Sequence, residues 1–145
     1  MEGKRNLIFS KNNYSIGKFK DNLRNGKGIE YDKNGNIVYE GEYINDKKEG
    51  KGKLVDEDGD YYIGEFKDDL KNGKGVIYYK NGNIMYDGDF INGKIEGNGK
   101  YYYESGEYYI GQYKNGLRHG KGIEYYKNGN IKYEGGWINE KFVGN

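Results

Sequence analysis

Side chains able to act as nucleophile, base or metal ligand are scarce in this 145-residue sequence: three serines (Ser10, Ser15, Ser105), one histidine (His119) and no cysteine. A Ser-His-Asp arrangement would have to recruit one of those serines, and each lies within or beside a repeating grid of glycines. Zinc binding fails for want of His and Cys, and a phosphate-binding P-loop fails because no Gly-Lys is followed by Ser or Thr. The run Asp56-Glu57-Asp58-Gly59-Asp60 suggests a calcium loop, but Lys67 stands where an EF-hand needs its twelfth-position Glu. A solvated Asp-Gly turn is the expected reading. Asp and Glu are plentiful, yet a one-layer fold offers no deep pocket to shift their pKa values. Neither enzymatic activity nor a cofactor or bound metal is expected.

The remaining chemistry is that of binding, and it lies in columns. Two places after a recurrent glycine stand Phe19, Tyr43, Phe66, Phe90, Tyr113 and Trp137; two places before it stand Ser15, Tyr39, Tyr62, Tyr86, Tyr109 and Tyr133. Large rings with few rotors suit a protein or peptide partner, which makes Tyr62, Phe66, Tyr86, Phe90, Tyr109, Tyr113, Tyr133 and Trp137 the candidate partner-binding residues. Many rings must also hold the structure together. A second column, Lys27, Lys51, Lys74 and Lys121, interrupted by Asn98, could meet anionic lipid headgroups. Glu42, Glu65 and Asp89 lie nearby, and a neutralised, edge-protecting stripe is the stronger reading. With 24 basic and 23 acidic residues the net charge is +1, so no overall field recruits nucleic acid or an anionic membrane.

The elements that must position these columns follow from the glycines. Gly17, Gly41, Gly64, Gly88, Gly111 and Gly135 step alternately by 24 and 23 residues, so the true period is a 47-residue pair of unlike units. Nine residues after each comes Gly26, Gly50, Gly73, Gly97, Gly120 or Gly144, and in the first five units a further glycine two places on completes a Gly-x-Gly. Tyr-x-Gly-x-aromatic has period two, which on a strand puts both rings and the glycine on one face with a notch between the rings. Each unit reads as strand, a loop of about five residues, strand, then a tight turn at dipeptides such as Asn34-Gly35.

Behind the rings, Ile16, Ile63 and Ile110 alternate with Glu40, Asp87 and Glu134, and Lys20, Lys67 and Lys114 alternate with Ile44, Ile91 and Ile138. This predicts a thinner apolar stripe on the opposite face, read as packing in preference to a separate binding face. The fold class is therefore all-β: an elongated single-layer antiparallel meander of about six tandem β-hairpins, with essentially no helix.

Residues 1–13 form an N-terminal half-repeat, with 3 to 12 as a lone second strand. Residues 14–145 form the array, with repeats starting near 14, 39, 61, 86, 108 and 133 and the last truncated. Edge strands invite pairing, which raises a homodimer or end-to-end self-association, against the stronger reading that Lys and Asn solvate the edges. No window reaches the length of a membrane span and the first residues lack a signal peptide's apolar stretch, so a soluble, intracellular protein is expected.

The segment from Tyr109 to Gly122, Tyr-Ile-Gly-Gln-Tyr-Lys-Asn-Gly-Leu-Arg-His-Gly-Lys-Gly, and the segment Tyr86-Asp87-Gly88-Asp89-Phe90-Ile91-Asn92-Gly93 resemble the MORN repeat. Ser15 in place of the first Tyr, and Asn45-Asp46 and Asp68-Asp69 in place of Asn-Gly, are the departures. The resemblance implies a rod-like or gently twisted sheet with a groove. Its implied roles are a non-enzymatic scaffold for a partner protein or peptide, a peripheral tether on anionic phospholipid, or a self-associating structural protein. Its implied setting is cytoplasmic, with cytoskeletal or membrane association. Three copies of Lys-Asn-Gly-Asn-Ile, at 33 to 37, 80 to 84 and 127 to 131, also resemble a bacterial variant repeat found in antitoxin-like proteins.

Overall fold

A computed structural model of the chain describes residues 3–8 and 13–144. Tyr, Ile, Val and Phe in period-two runs punctuated by glycine leave no stretch suited to a helix, and among the described residues none forms. Thirteen antiparallel strands make one open sheet in strict chain order. They are β1 (Gly3–Ile8), β2 (Tyr14–Lys20), β3 (Leu23–Tyr31), β4 (Ile37–Ile44), β5 (Lys47–Val55), β6 (Tyr61–Lys67), β7 (Leu70–Tyr78), β8 (Ile84–Ile91), β9 (Lys94–Tyr102), β10 (Tyr108–Lys114), β11 (Leu117–Tyr125), β12 (Ile131–Ile138) and β13 (Lys141–Gly144). β1 pairs with β2 within the span 3 to 12 where a lone strand was expected; residues 9 to 12 lie outside the described residues. At the other end, in the repeat expected to be truncated, residues 141–144 form a short strand on β12.

The loop lengths are the reverse of those expected. Within each hairpin the connection is two residues, at 21–22, 45–46, 68–69, 92–93, 115–116 and 139–140, all with φ between 45° and 85°. Two successive positive φ values define a type I′ turn, whose twist matches its strands. The five-residue connections are those between hairpins, where Asn34-Gly35 and its equivalents lie; in each the first residue's N–H donates to the fifth residue's carbonyl, as from Asp32 to Asn36. The residues assigned to a longer loop are instead absorbed by a β-bulge: Gly17 pairs Gly28 and Phe19 pairs Arg24, so Lys18 faces Asn25, Gly26 and Lys27. Gly26 takes φ 96° at that bulge.

The core is a single file of rings on one face. Tyr39 meets Tyr43 of its own hairpin edge-on at 5.1 Å and Phe66 of the next at 5.4 Å. The zigzag continues through Tyr62, Phe90, Tyr86, Tyr113, Tyr109 and Trp137 with every contact T-shaped. Each T-shaped pair adds ~0.5–1.5 kcal/mol to the burial of its rings. A hairpin alone is marginal, and this file binds the second to sixth hairpins in succession.

The notch expected between the two rings of a strand is filled. Tyr39 folds back over it and donates its hydroxyl to the Glu42 carbonyl at 2.9 Å; Tyr62, Tyr86 and Tyr109 do the same to Glu65, Asp89 and Gln112. The ring lies on the paired glycines beneath it. A Cβ on Gly75 would stand 2.4 Å from the Tyr62 hydroxyl, and one on Gly64 would stand 2.6 Å from the Gly75 Cα. Glycine is required here by close approach.

Candidate binding faces

Because paired residues in an antiparallel ladder share a face, the register assigns every column to one side of the sheet. On the ring face, the residue paired with each downstream ring forms a lid. Arg24, Lys48, Lys71, Ile95, Arg118 and Phe142 stand opposite Phe19, Tyr43, Phe66, Phe90, Tyr113 and Trp137. The cationic members lean over tyrosines: Arg24 over Tyr43 at 4.4 Å, Lys48 over Tyr39 at 5.1 Å and Lys71 over Tyr62 at 5.2 Å.

Rings and lid together leave little surface. Of the eight rings expected to meet a partner, Tyr62, Phe66, Tyr86, Phe90, Tyr109, Tyr113 and Trp137 are buried in the sheet's own core, and Tyr133 alone is exposed, at 44%. Burial pushes the phenols of Tyr62 and Tyr109 up to about 12 and raises that of Tyr113 further. The Tyr113 hydroxyl has no hydrogen-bond partner.

At β11 the lid becomes a polar cluster. Arg118 Nη1 donates to Glu124 at 2.7 Å, Nη2 donates to the Tyr103 hydroxyl, and the guanidinium lies 4.7 Å over Tyr109 and 4.8 Å over Trp137. Lys132 reaches Glu124 and Glu107 at 3.4 Å each. Burial opposes the Arg118 charge, but its hydrogen bonds to Tyr103 and Glu124 hold the guanidinium firmly protonated. Sequence reading missed this cluster, although a signal was present: Arg24 and Glu30, two 47-residue periods earlier, carry the same pair at the same six-residue spacing.

The lysine column lies on the opposite face, away from the rings. Lys27 pairs Glu42, Lys51 pairs Glu65 and Lys74 pairs Asp89, with a Lys74–Asp89 ion pair. The hydrogen bond from Lys74 holds the Asp89 carboxyl below its ordinary range, against a smaller opposing effect of burial. Lys121, paired with Gly136, is the exception. The stripe is an acid–base ladder along most of its length.

The same face carries apolar rows, and they are open. Ile16, Ile44, Ile63, Ile91 and Ile138 are all exposed, between 38% and 55%. Stacked tyrosine pairs, Tyr14–Tyr31, Tyr61–Tyr78 and Tyr108–Tyr125, recur beside them at centroid distances of 4.6 to 5.0 Å. Between the isoleucine row and the lysine ladder run two grooves floored by glycine backbone. One, of about 720 Å³, is lined by Ile16, Ile29, Glu40, Lys27 and Lys51; the other, of about 320 Å³, by Asp87, Lys100, Ile110 and Lys74. A cleft of about 940 Å³ lies at the inter-hairpin loops among Tyr79, Tyr102, Tyr103, Asp60, Lys80 and Ile84.

The catalytic candidates are absorbed locally. His119 accepts the Asn139 N–H at 3.4 Å, closing the next hairpin's turn, in the position where Asn25 and Asn72 do the same. Ser15 is buried beside Arg24, Ser105 accepts the Glu107 N–H, and Ser10 lies outside the described residues. The carboxylates of Asp56, Asp58 and Asp60 converge within 4.8 Å, where Asp56 accepts the Asp58 N–H and Asp60 accepts the Lys80 N–H.

No individual curated protein matches the chain. A family description does, five times over, at residues 16–37, 39–61, 62–84, 86–108 and 109–131, and it is that of the MORN repeat. The matched copies coincide with the first five hairpins, each bringing its bulge and its inter-hairpin loop, and the second to fifth bringing a ring pair as well. The chain belongs to the MORN repeat family.

Proposed function

We propose that the protein is a non-enzymatic scaffold that binds other protein through the face opposite its ring core. The observation that carries this is the distribution of exposed apolar surface. The rings are consumed by the sheet, whereas the isoleucines behind them stay exposed along the whole array. Exposed aliphatic side chains gathered on one face and interspersed with charge suit an interaction site. MORN repeats are protein- and membrane-interaction modules, which supports the same reading. Acids interleaved with the lysines of this face, Glu40, Glu42, Glu65, Asp87 and Asp89, suit a protein partner that carries both signs of charge.

The test compares protein captured by the wild-type chain with that captured by Ile63→Lys/Ile110→Lys, both positions exposed or half-exposed on the docking face. Capture is expected to fall while the circular dichroism spectrum and melting temperature hold. Undiminished capture by the folded variant would refute the assignment of the face.

A further inference from the structure

One row on the open face can be followed strand by strand. From β2 to β11 it runs Ile16, Ile29, Glu40, Lys53, Ile63, Val76, Asp87, Lys100, Ile110, Ile123, each residue paired with the next across the ladder. Aliphatic doublets alternate with acid–base doublets every four strands, and the acid always comes first. Such a row is complementary to its own reversed copy. Turned about an axis parallel to the strands between β6 and β7, Ile63 faces Val76, Lys53 faces Asp87, Glu40 faces Lys100, Ile29 faces Ile110 and Ile16 faces Ile123. All ten positions match like with like or charge with countercharge.

We infer that this face is a two-fold homodimer interface, its occupant a second copy of the chain stacked face to face with strands aligned. The inference rests on the docking face proposed above and names what covers it. Three further observations support it. Among the described residues, Glu40, Lys53, Asp87 and Lys100 are all exposed and none is in an ion pair within the chain, so their charges remain available across an interface. Lys53 lies over the Tyr61 ring at 4.6 Å, which keeps its head on this face. In the neighbouring rows the same operation sets Tyr61 on Tyr78 and Lys51 on Asp89, while Lys67 meets Leu70 and, at the rim, Lys18 meets Lys121.

The complementarity also selects the geometry. A two-fold axis perpendicular to the strands would set Glu40 on Glu40 and Lys53 on Lys53, a like-charge arrangement that opposes association. The footprint is sufficient. Ten strands at ~4.8 Å by about six residues at ~3.3 Å cover ~950 Å², against the ~800 Å² per partner of a standard interface. Sheets stacked this way lie ~10 Å apart with side chains interdigitated.

The test is analytical ultracentrifugation of the full chain over a wide concentration series. A dimer of the 16.7 kDa chain is expected. Lys100→Glu sets Glu against Glu40 of the other copy and is expected to weaken dimerisation tenfold or more. Glu40→Lys added to it restores the cross-pair. Positions 40 and 100 sit five strands apart in one chain, so recovery to near wild-type affinity can come only from contact between copies. A chain that stays monomeric throughout, or a dimer indifferent to Lys100→Glu, overturns the proposal. A monomer that still loses captured protein in Ile63→Lys/Ile110→Lys overturns the dimer and leaves the scaffold reading standing.

Discussion

Glycines of the repeat answer two different physical needs, and single substitutions separate them. Gly122 lies under the Tyr109 ring, where a Cβ would stand 2.3 Å from the ring's Cζ. Gly116, in a type I′ turn, has φ 80° and nothing within 4 Å of an added Cβ. Gly116→Ala is therefore expected to cost ~1–2 kcal/mol of backbone strain alone. Gly122→Ala is expected to cost ~3 kcal/mol or more, because the ring and the opposing strand must both move. Urea unfolding of the double variant Gly122→Ala/Tyr109→Ala then gives a cost below the sum of the singles, since the second change removes what the first collides with. Additive costs would mean that the ring does not lie on the glycine.

The Arg118–Glu124 pair offers a second test at this scale. Both residues are at least nine-tenths buried, so Glu124→Gln leaves the buried guanidinium to the half-exposed Glu140 for countercharge and is expected to cost ~3 kcal/mol or more. Arg118→Met/Glu124→Leu, which removes both charges and fills the space, is expected to recover most of that loss. Thermal melts of the two variants side by side decide it: equal destabilisation would make the pair a source of net stability.

At the scale of the hairpin, the turns explain both what sequence reveals and what it hides. The type I′ geometry prefers Asn-Gly, which hairpins four and five have at 92–93 and 115–116, while hairpin three uses Asp68-Asp69 at the same φ values. Asp68→Asn is expected to stabilise by ~0.5 kcal/mol, because Asn adopts the left-handed conformation more readily and a charge beside Glu49 is removed. Chemical denaturation midpoints measure it. The ring pairs, the glycine columns and the 47-residue period were legible because each depends on residue type at fixed spacing. Loop lengths were not, because Asn-Gly serves equally in a two-residue turn at 92–93 and in a five-residue loop at 34–35. Only the bulge at Gly26, invisible in a period count, tells them apart. The burial of Tyr62 and Tyr109 also escaped, since it depends on each ring folding back to the carbonyl three residues on. Ile63 and its neighbours were recognised as an apolar stripe but read as packing, and nothing in a single strand's alternation says which of two apolar faces is covered.

Across the whole molecule, the file of rings that joins the hairpins also makes the array sensitive to alkali. A phenol is neutral when protonated, so a folded-state pKa raised from the ordinary value near 10 to about 12, as at Tyr62 and Tyr109, means that folding favours the protonated form. That contribution is fully present below about pH 10 and is lost as pH rises through 10 toward 12. Tyr39, Tyr86 and Tyr113 are raised further by the same burial and add to the effect. Because Tyr39, Tyr62, Tyr86 and Tyr109 each touch a ring of the next hairpin, ionising one weakens its neighbour's cover, and the array is expected to unfold cooperatively in that window. Absorbance at 295 nm and circular dichroism should then change together for the buried phenols. Tyr62→Phe/Tyr109→Phe keeps both rings and removes two ionisable groups together with their hydrogen bonds to the Glu65 and Gln112 carbonyls. That variant is expected to be less stable than wild type at pH 7, by ~1 kcal/mol per lost hydrogen bond. Its stability should also fall less steeply between pH 10 and 12. Parallel alkaline profiles for the two proteins would show that these phenols are not what couples the repeats to pH.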